Sequence, residues 1–128
     1  MTETDRPTVE VLTAGDTTLT RPGKESVQLL WPGNSPQARV TLTRATVAPG
    51  STQQRHAHPH SEQIWIIEQG RADLLLGDGR SRPITAGEIV RTPAGEIHGV
   101  HNGGSQPFVY LSITTPPIDF RPAYDGVR

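Results

Sequence analysis

Glycine and proline punctuate this chain so densely that long helices have little room. Of 128 residues, 13 are Gly and 12 are Pro, and they are spread along the sequence without low-complexity repetition. A helix needs a long stretch free of both, and few exist here. Thr and Val are frequent, as strands prefer. Short segments bounded by Pro or Gly read as strands: Val9–Thr13, Ser26–Trp31, Ala38–Val47, Ser51–His58, Gln63–Gln69, Ala72–Leu76, Glu88–Thr92, Ile97–His101 and Phe108–Thr114. Gly77-Asp78-Gly79-Arg80 reads as a hairpin turn, because Asp-Gly suits the positive φ that tight hairpins need. Pro32-Gly33-Asn34-Ser35-Pro36 reads as a loop. Regular short strands without a helical period predict an all-β sandwich or barrel in a single domain. Residues 1–7 are expected to be a flexible arm, residues 8–115 the barrel, and residues 116–128 an irregular tail that drapes over the barrel or reaches a neighbour.

Bulk properties narrow the function classes. Net charge is −1, with no run of like charges, which argues against a nucleic-acid partner and against an anionic-membrane surface. There are no cysteines, so neither a disulfide framework nor a thiolate metal site is available. The opening MTETDRPTVEV has no apolar core of a signal peptide. The longest apolar runs, Ile64-Trp65-Ile66-Ile67 and Leu74-Leu75-Leu76, are too short to span a bilayer. A cytoplasmic protein is expected. In Gln63–Gln69, alternate residues face opposite sides of a sheet. Gln63, Trp65 and Ile67 share one side, Ile64 and Ile66 the other. Both sides are apolar, so both are expected to be covered, by a second sheet layer or by a second subunit, and a homodimer is expected.

Three of the five histidines fall within five residues, in Arg55-His56-Ala57-His58-Pro59-His60. On a strand, His56 and His58 share a face, roughly 6.5–7 Å apart at the backbone, and two imidazoles so placed can converge on one ion with bonds of ~2.0–2.1 Å. Pro59 cannot continue a central ladder, so the chain turns there. The returning strand carries a side-chain oxygen at Glu62 or Gln63. His98 is the best candidate for a ligand from elsewhere. The alternative reading is that these histidines are solvated loop residues.

The two segments resemble the paired motifs of the cupin superfamily. The first motif reads G, five residues, H, one residue, H, three or four residues, E, six residues, G, and is met by Gly50, His56, His58, Gln63 and Gly70. The second reads G, five residues, P, one residue, G, two residues, H, three residues, N, and is met by Gly87, Pro93, Gly95, His98 and Asn102. The resemblance implies a double-stranded β-helix, or jelly-roll barrel, with a metal bound inside. One departure matters, since Gln63 occupies the usual glutamate position. Glu62 fits the shorter gap after His58 but leaves seven residues before Gly70. If Gln63 points inward, so do Trp65 and Ile67, the large residues suited to a pocket wall, and Glu62 points out. The expected ligand set is therefore His56, His58, Gln63 and His98. His60 and His101 are expected on a rim or the surface. Gly70, Gly87, Gly95 and Pro93 are expected to make turns. Trp65 serves core or pocket wall, and Arg44, Arg91 and Tyr110 either reach the cavity or face solvent.

Three neutral imidazoles and an amide add no charge to a divalent ion, which favours Lewis-acid work on a carbonyl or enolate oxygen. Nitrogen and oxygen donors suit Fe, Mn, Ni, Co, Cu or Zn without choosing among them. Proton transfer then falls to another group, with His60, Glu62, Tyr110 or bound water as candidates. The expected function is an enzyme that isomerises or cleaves a small keto acid, enol or sugar acid. Small cupins with glutamine at this position resemble the group that linearises unsaturated uronates. The alternatives are an Fe-, Ni- or Cu-dependent dioxygenase and a non-catalytic metal- or sugar-binding module.

Overall fold

The computed structural model describes residues 8–13 and 17–127, with the backbone alone at Val127. The arm expected at residues 1–7 lies outside them. Among the described residues the chain forms β1 (Thr17–Arg21), β2 (Lys24–Leu30), β3 (Thr41–Val47), β4 (Thr52–His56), β5 (Glu62–Gln69), β6 (Arg71–Leu76), β7 (Ser81–Thr85), β8 (Ile89–Thr92), β9 (His98–His101), β10 (Phe108–Thr115) and β11 (Gly126–Val127). All pairings are antiparallel. They build a larger sheet in the order β11-β1-β2-β3-β10-β5-β8 and a smaller one in the order β4-β9-β6-β7. This is the all-β jelly roll expected from the sequence.

Period-two alternation decides what each strand places between the sheets. In β10 every second residue, Phe108, Tyr110, Ser112 and Thr114, is buried. Cross-strand register gathers these inward residues into rows. Val47 and Phe108 form one row, Ala45, Tyr110 and Ile67 the next, then Thr43, Ser112 and Trp65, and last Thr41, Thr114, Gln63 and Thr92. The core therefore grades from apolar to hydroxyl- and amide-rich along the barrel. The apolar rows join Ala72, Leu74, Ile84 and Val100 of the smaller sheet in one cluster. β2 breaks the gradient, because its inward residues Lys24, Ser26 and Gln28 are polar in every row they enter.

Several boundaries differ from the sequence-based expectation. Val9–Thr13 is not a strand; Val9 and Val11 are 97% and 95% exposed. The pattern of that segment is apolar alternation with no ladder partner among the described residues. β1 and β7 were not expected. β1 carries one large apolar residue, the fully buried Leu19, and β7 contains Pro83, tolerated because β7 is an edge of the smaller sheet. The Gly77–Gly79 turn holds Asp78 and Gly79 at φ 61° and 70°, as the Asp-Gly hairpin requires. Part of the C-terminal segment packs against the barrel, and its last described residues form a strand. Thr41 donates to the Ile118 carbonyl at 2.8 Å, Tyr124 and Ser26 share a hydroxyl bond of 2.6 Å, and β11 extends the larger sheet beside β1. No described helix is long and apolar enough to cross a membrane.

Candidate metal centre

His56 closes β4 and His98 opens β9, and the two stand directly opposite each other in the ladder. That pairing depends on an irregularity. Gln53 faces Val100, but His56 faces His98, so β4 carries one extra residue between the two pairs. In an unbroken strand Gln53 and His56 would point to opposite faces. The bulge turns both toward the barrel interior. Gly99 accommodates it, since a Cβ there would meet the Gln53 carbonyl oxygen at 2.6 Å and the Arg55 nitrogen at 3.0 Å. His58 lies two residues beyond the end of β4, where Pro59 turns the chain. Gln63 comes from β5 in the other sheet.

These segments bring His56, His58 and His98 together. Their candidate ligand nitrogens all lie within 4.8 Å of one another, and the ring centroids are 4.4 to 5.2 Å apart. Gln63 joins them, its Oε1 lying 3.1 Å from His98 Nε2. Each orientation has an identifiable cause. The His56 Nδ1–H donates to the Gln54 carbonyl at 2.7 Å and the His98 Nδ1–H to the Glu96 carbonyl at 3.1 Å. A carbonyl can only accept, so these bonds assign the proton to Nδ1 and leave Nε2 as a lone pair. The Gln63 amide is fixed at both ends, donating from Nε2 to Thr114 Oγ1 at 3.0 Å and accepting at Oε1 from Trp65 Nε1–H at 3.2 Å.

Two consequences point to a cation. The His98 Nε2 and Gln63 Oε1 lone pairs face each other, an arrangement that a shared positive ion relieves. His58 Nε2 is buried with no hydrogen-bond partner, an unusual state for a buried polar atom. Burial, with smaller contributions from neighbouring positive charge, holds His58 and His98 down to a pKa of about 4. His56 is also lowered, mainly by burial. All three are thus neutral near pH 7, the form that binds metal. The residues present fit a divalent ion held by three imidazoles and one amide oxygen.

His56, His58 and Gln63 of the cluster line a cavity of about 240 Å³. Trp65 and Tyr110 stack there with centroids 4.1 Å apart, and Tyr110 OH donates to Gln53 Oε1 at 2.8 Å. Burial raises the Tyr110 pKa well above its usual value, so the phenol donates and does not ionise. Glu62 does not line the cavity; it pairs with Arg91 on the outer face of the larger sheet. His60 is exposed beyond the turn proline. Arg44 pairs with Glu68 outside at 2.8 Å. His101 is half-buried and bonds Thr52 Oγ1 at 2.7 Å.

Sequence reasoning missed the β2 wall. Lys24 and Gln28 line the cavity together with Arg21 from the end of β1. Lys24 is partly exposed as a residue, yet its ammonium end is enclosed, and this burial, helped by the nearby Arg21 charge, lowers its pKa to about 7. The available signal was an inverted alternation in Lys-Glu-Ser-Val-Gln-Leu, with polar residues on the inward parity and Val27 on the outward one.

Residues 43–114 match the cupin domain family, more than half of the chain. The chain belongs to the cupin family. Over 104 residues this cupin is 32% identical to oxalate oxidase GF-3.8 of Triticum aestivum, a match covering 72% of this chain and 45% of that protein. The chain thus spans less than half the length of that relative. The solved structure of a Cupin 2 conserved barrel domain protein from Salinispora arenicola is 33% identical with a TM-score of 0.62, covering 72% of this cupin and 75% of that chain. A conserved protein with a double-stranded β-helix domain from Klebsiella pneumoniae is similar in fold, with a TM-score of 0.69 at 23% identity and 85% of each chain covered. The cupin barrel is accordingly a double-stranded β-helix.

Proposed function

We propose that this cupin is a metal-dependent enzyme that isomerises or cleaves a small oxygen-rich molecule: a keto acid, an enol or a sugar acid. One observation carries the reading. Three neutral imidazoles and a braced amide oxygen converge, and His56, His58 and Gln63 among them line a partly open cavity that no described carboxylate lines. A divalent ion held there would supply Lewis acidity toward a substrate oxygen, undiminished by ligand charge. The chain's own residues supply the rest. The stacked Trp65 and Tyr110 rings line the cavity as one apolar block against which a substrate can pack. Phe120, its ring 5.8 Å from His58, narrows access from the C-terminal segment. Of the three proton carriers considered from sequence, Tyr110 alone lines the cavity, and its O–H proton is held by Gln53 Oε1 until a substrate oxygen competes for it. The oxalate oxidase relative, named for a small organic acid, supports the same class of substrate.

That relative also supports a second reading, an oxygen-consuming oxidation of the same kind of acid. The two separate on one experiment. The protein is loaded singly with Zn, Mn, Fe, Co, Ni or Cu and offered keto acids, enols and uronates with and without oxygen. Turnover without oxygen on the redox-silent Zn form is the expected result. Turnover only where oxygen consumption matches product would establish the oxidative reading, and tight metal binding with no turnover would leave a binding module.

A further inference from the structure

The cavity has a second polar wall that the metal centre does not use. Gln28 is 1% exposed, and neither its Nε2 nor its Oε1 hydrogen-bonds any group of the described residues. Leaving a buried amide unmade at both ends is costly, so such a group marks a place where something else bonds. Two inward positions along β2, past Ser26, the Lys24 ammonium lies 5.9 Å from the Tyr110 ring centre and 5.5 Å from that of Tyr124. Arg21 approaches the same Tyr124 ring at 5.6 Å. Two basic side chains thus share one wall of a partly open cavity with no described carboxylate lining it. Ring faces compensate a cation only weakly compared with an anion. Ser26, committed to Tyr124, completes the polar strip.

We propose that Lys24, Arg21 and Gln28 form an oxyanion subsite, so that the substrate is an acid held by its carboxylate or phosphate at this wall while another of its oxygens faces the three histidines. This rests on the cavity being the substrate site, and it narrows the substrate to molecules with a fixed negative charge away from the reacting oxygen. The Gln28 amide can donate to that anion or to a hydroxyl beside it. The arginine, and the lysine in its protonated form, supply charge that no carboxylate of the described lining compensates.

The test uses calorimetry on the full chain, metal-free and Zn-loaded, with succinate, glycerol 3-phosphate and the neutral analogue succinamide. Binding of succinate or of glycerol 3-phosphate is expected in both forms, and the tighter of the two names the anion source. Succinamide should bind at least about tenfold more weakly, the equivalent of losing a charge-assisted bond. Lys24→Met and Gln28→Leu should each weaken the anion about tenfold or more, Lys24→Arg should retain it better than Lys24→Met, and the metal content of all three should stay at the wild-type level. Lys24→Met should also raise Tm by about 4 °C or more, because it removes a buried amine that no carboxylate of the described lining balances; a merely structural lysine would lower it. Equal binding of succinamide, or unchanged anion affinity in folded Lys24→Met and Gln28→Leu, overturns the subsite. Lys24-dependent anion binding without turnover on any metal form would sink the enzyme and leave the subsite standing. Turnover of neutral sugars indifferent to Lys24 would do the reverse.

Discussion

Glu62 and Gln63 are chain neighbours placed on opposite faces of β5. Gln63 reaches the histidines and is held by Thr114 and Trp65, whereas Glu62 pairs with Arg91 outside. Substitution separates their roles. His56→Ala, His58→Ala or His98→Ala should weaken metal binding by more than the about 10–100-fold typical of losing a supporting residue. Gln63→Ala should weaken it less, and Gln63→Glu should keep the ion while lowering turnover, because a carboxylate offsets its charge. Glu62→Ala removes one exposed ion pair worth about 0–1 kcal/mol and should leave metal content alone. Titration with Zn, read by elemental analysis after dialysis, checks the series; loss of the ion from Glu62→Ala would contradict this register. The parity of Gln63 was legible because a period of two ties it to Trp65 and Ile67. Lys24 and Gln28 were not, since a polar inward face looks from sequence like a solvent face.

At the scale of elements, the bulge in β4 decides whether His56 points at the site. Gly99 makes room for it, and any side chain at Gly99 meets the β4 backbone at 2.6 Å. Gly99→Ala should therefore push β4 from β9, part His56 from His98, and reduce metal affinity about tenfold or more with all four donors still present. Gly70 sets a comparable constraint in the β5–β6 turn. Its φ is 82°, and a Cβ there would meet the Pro107 carbonyl oxygen at 2.5 Å. Gly70→Ala should cost about 1–3 kcal/mol from the backbone conformation alone, plus the clash, read by urea denaturation. Unchanged stability would contradict the tight turn. Strands rich in Val, Ile and aromatic residues were legible. The bulge was not, because it adds a residue without any Gly or Pro on its own strand, and β1 and β7 were hidden by short polar sequences whose burial comes from tertiary pairing.

For the molecule as a whole, the outer face of the larger sheet is the surface that calls for a partner. Ile66 pairs across the ladder with Leu111 and Ile89, and Ile66 and Ile89 are 36% and 67% exposed. The ion pairs Arg44–Glu68 and Arg91–Glu62 lie on the same face. An apolar centre with a charged surround suits a self-complementary contact. We propose that a second copy covers it. Light scattering should then give twice the chain mass for the wild type and a monomer for the double variant Ile66→Glu, Ile89→Glu; a wild-type monomer at about 100 μM would refute it. Fold and motif spacing were legible here because jelly-roll turns and metal-ligand pairs leave local signatures. Cavity contents were not, since they assemble from strands far apart in sequence. The most direct measurement is anomalous diffraction from crystals of protein purified with its native metal. One ion per chain should lie about 2.0–2.2 Å from a ring nitrogen of each of His56, His58 and His98, with the Gln63 side-chain oxygen as the fourth donor. An ion bound elsewhere, or histidine rings turned from a common point, would contradict the metal centre and the chemistry built on it.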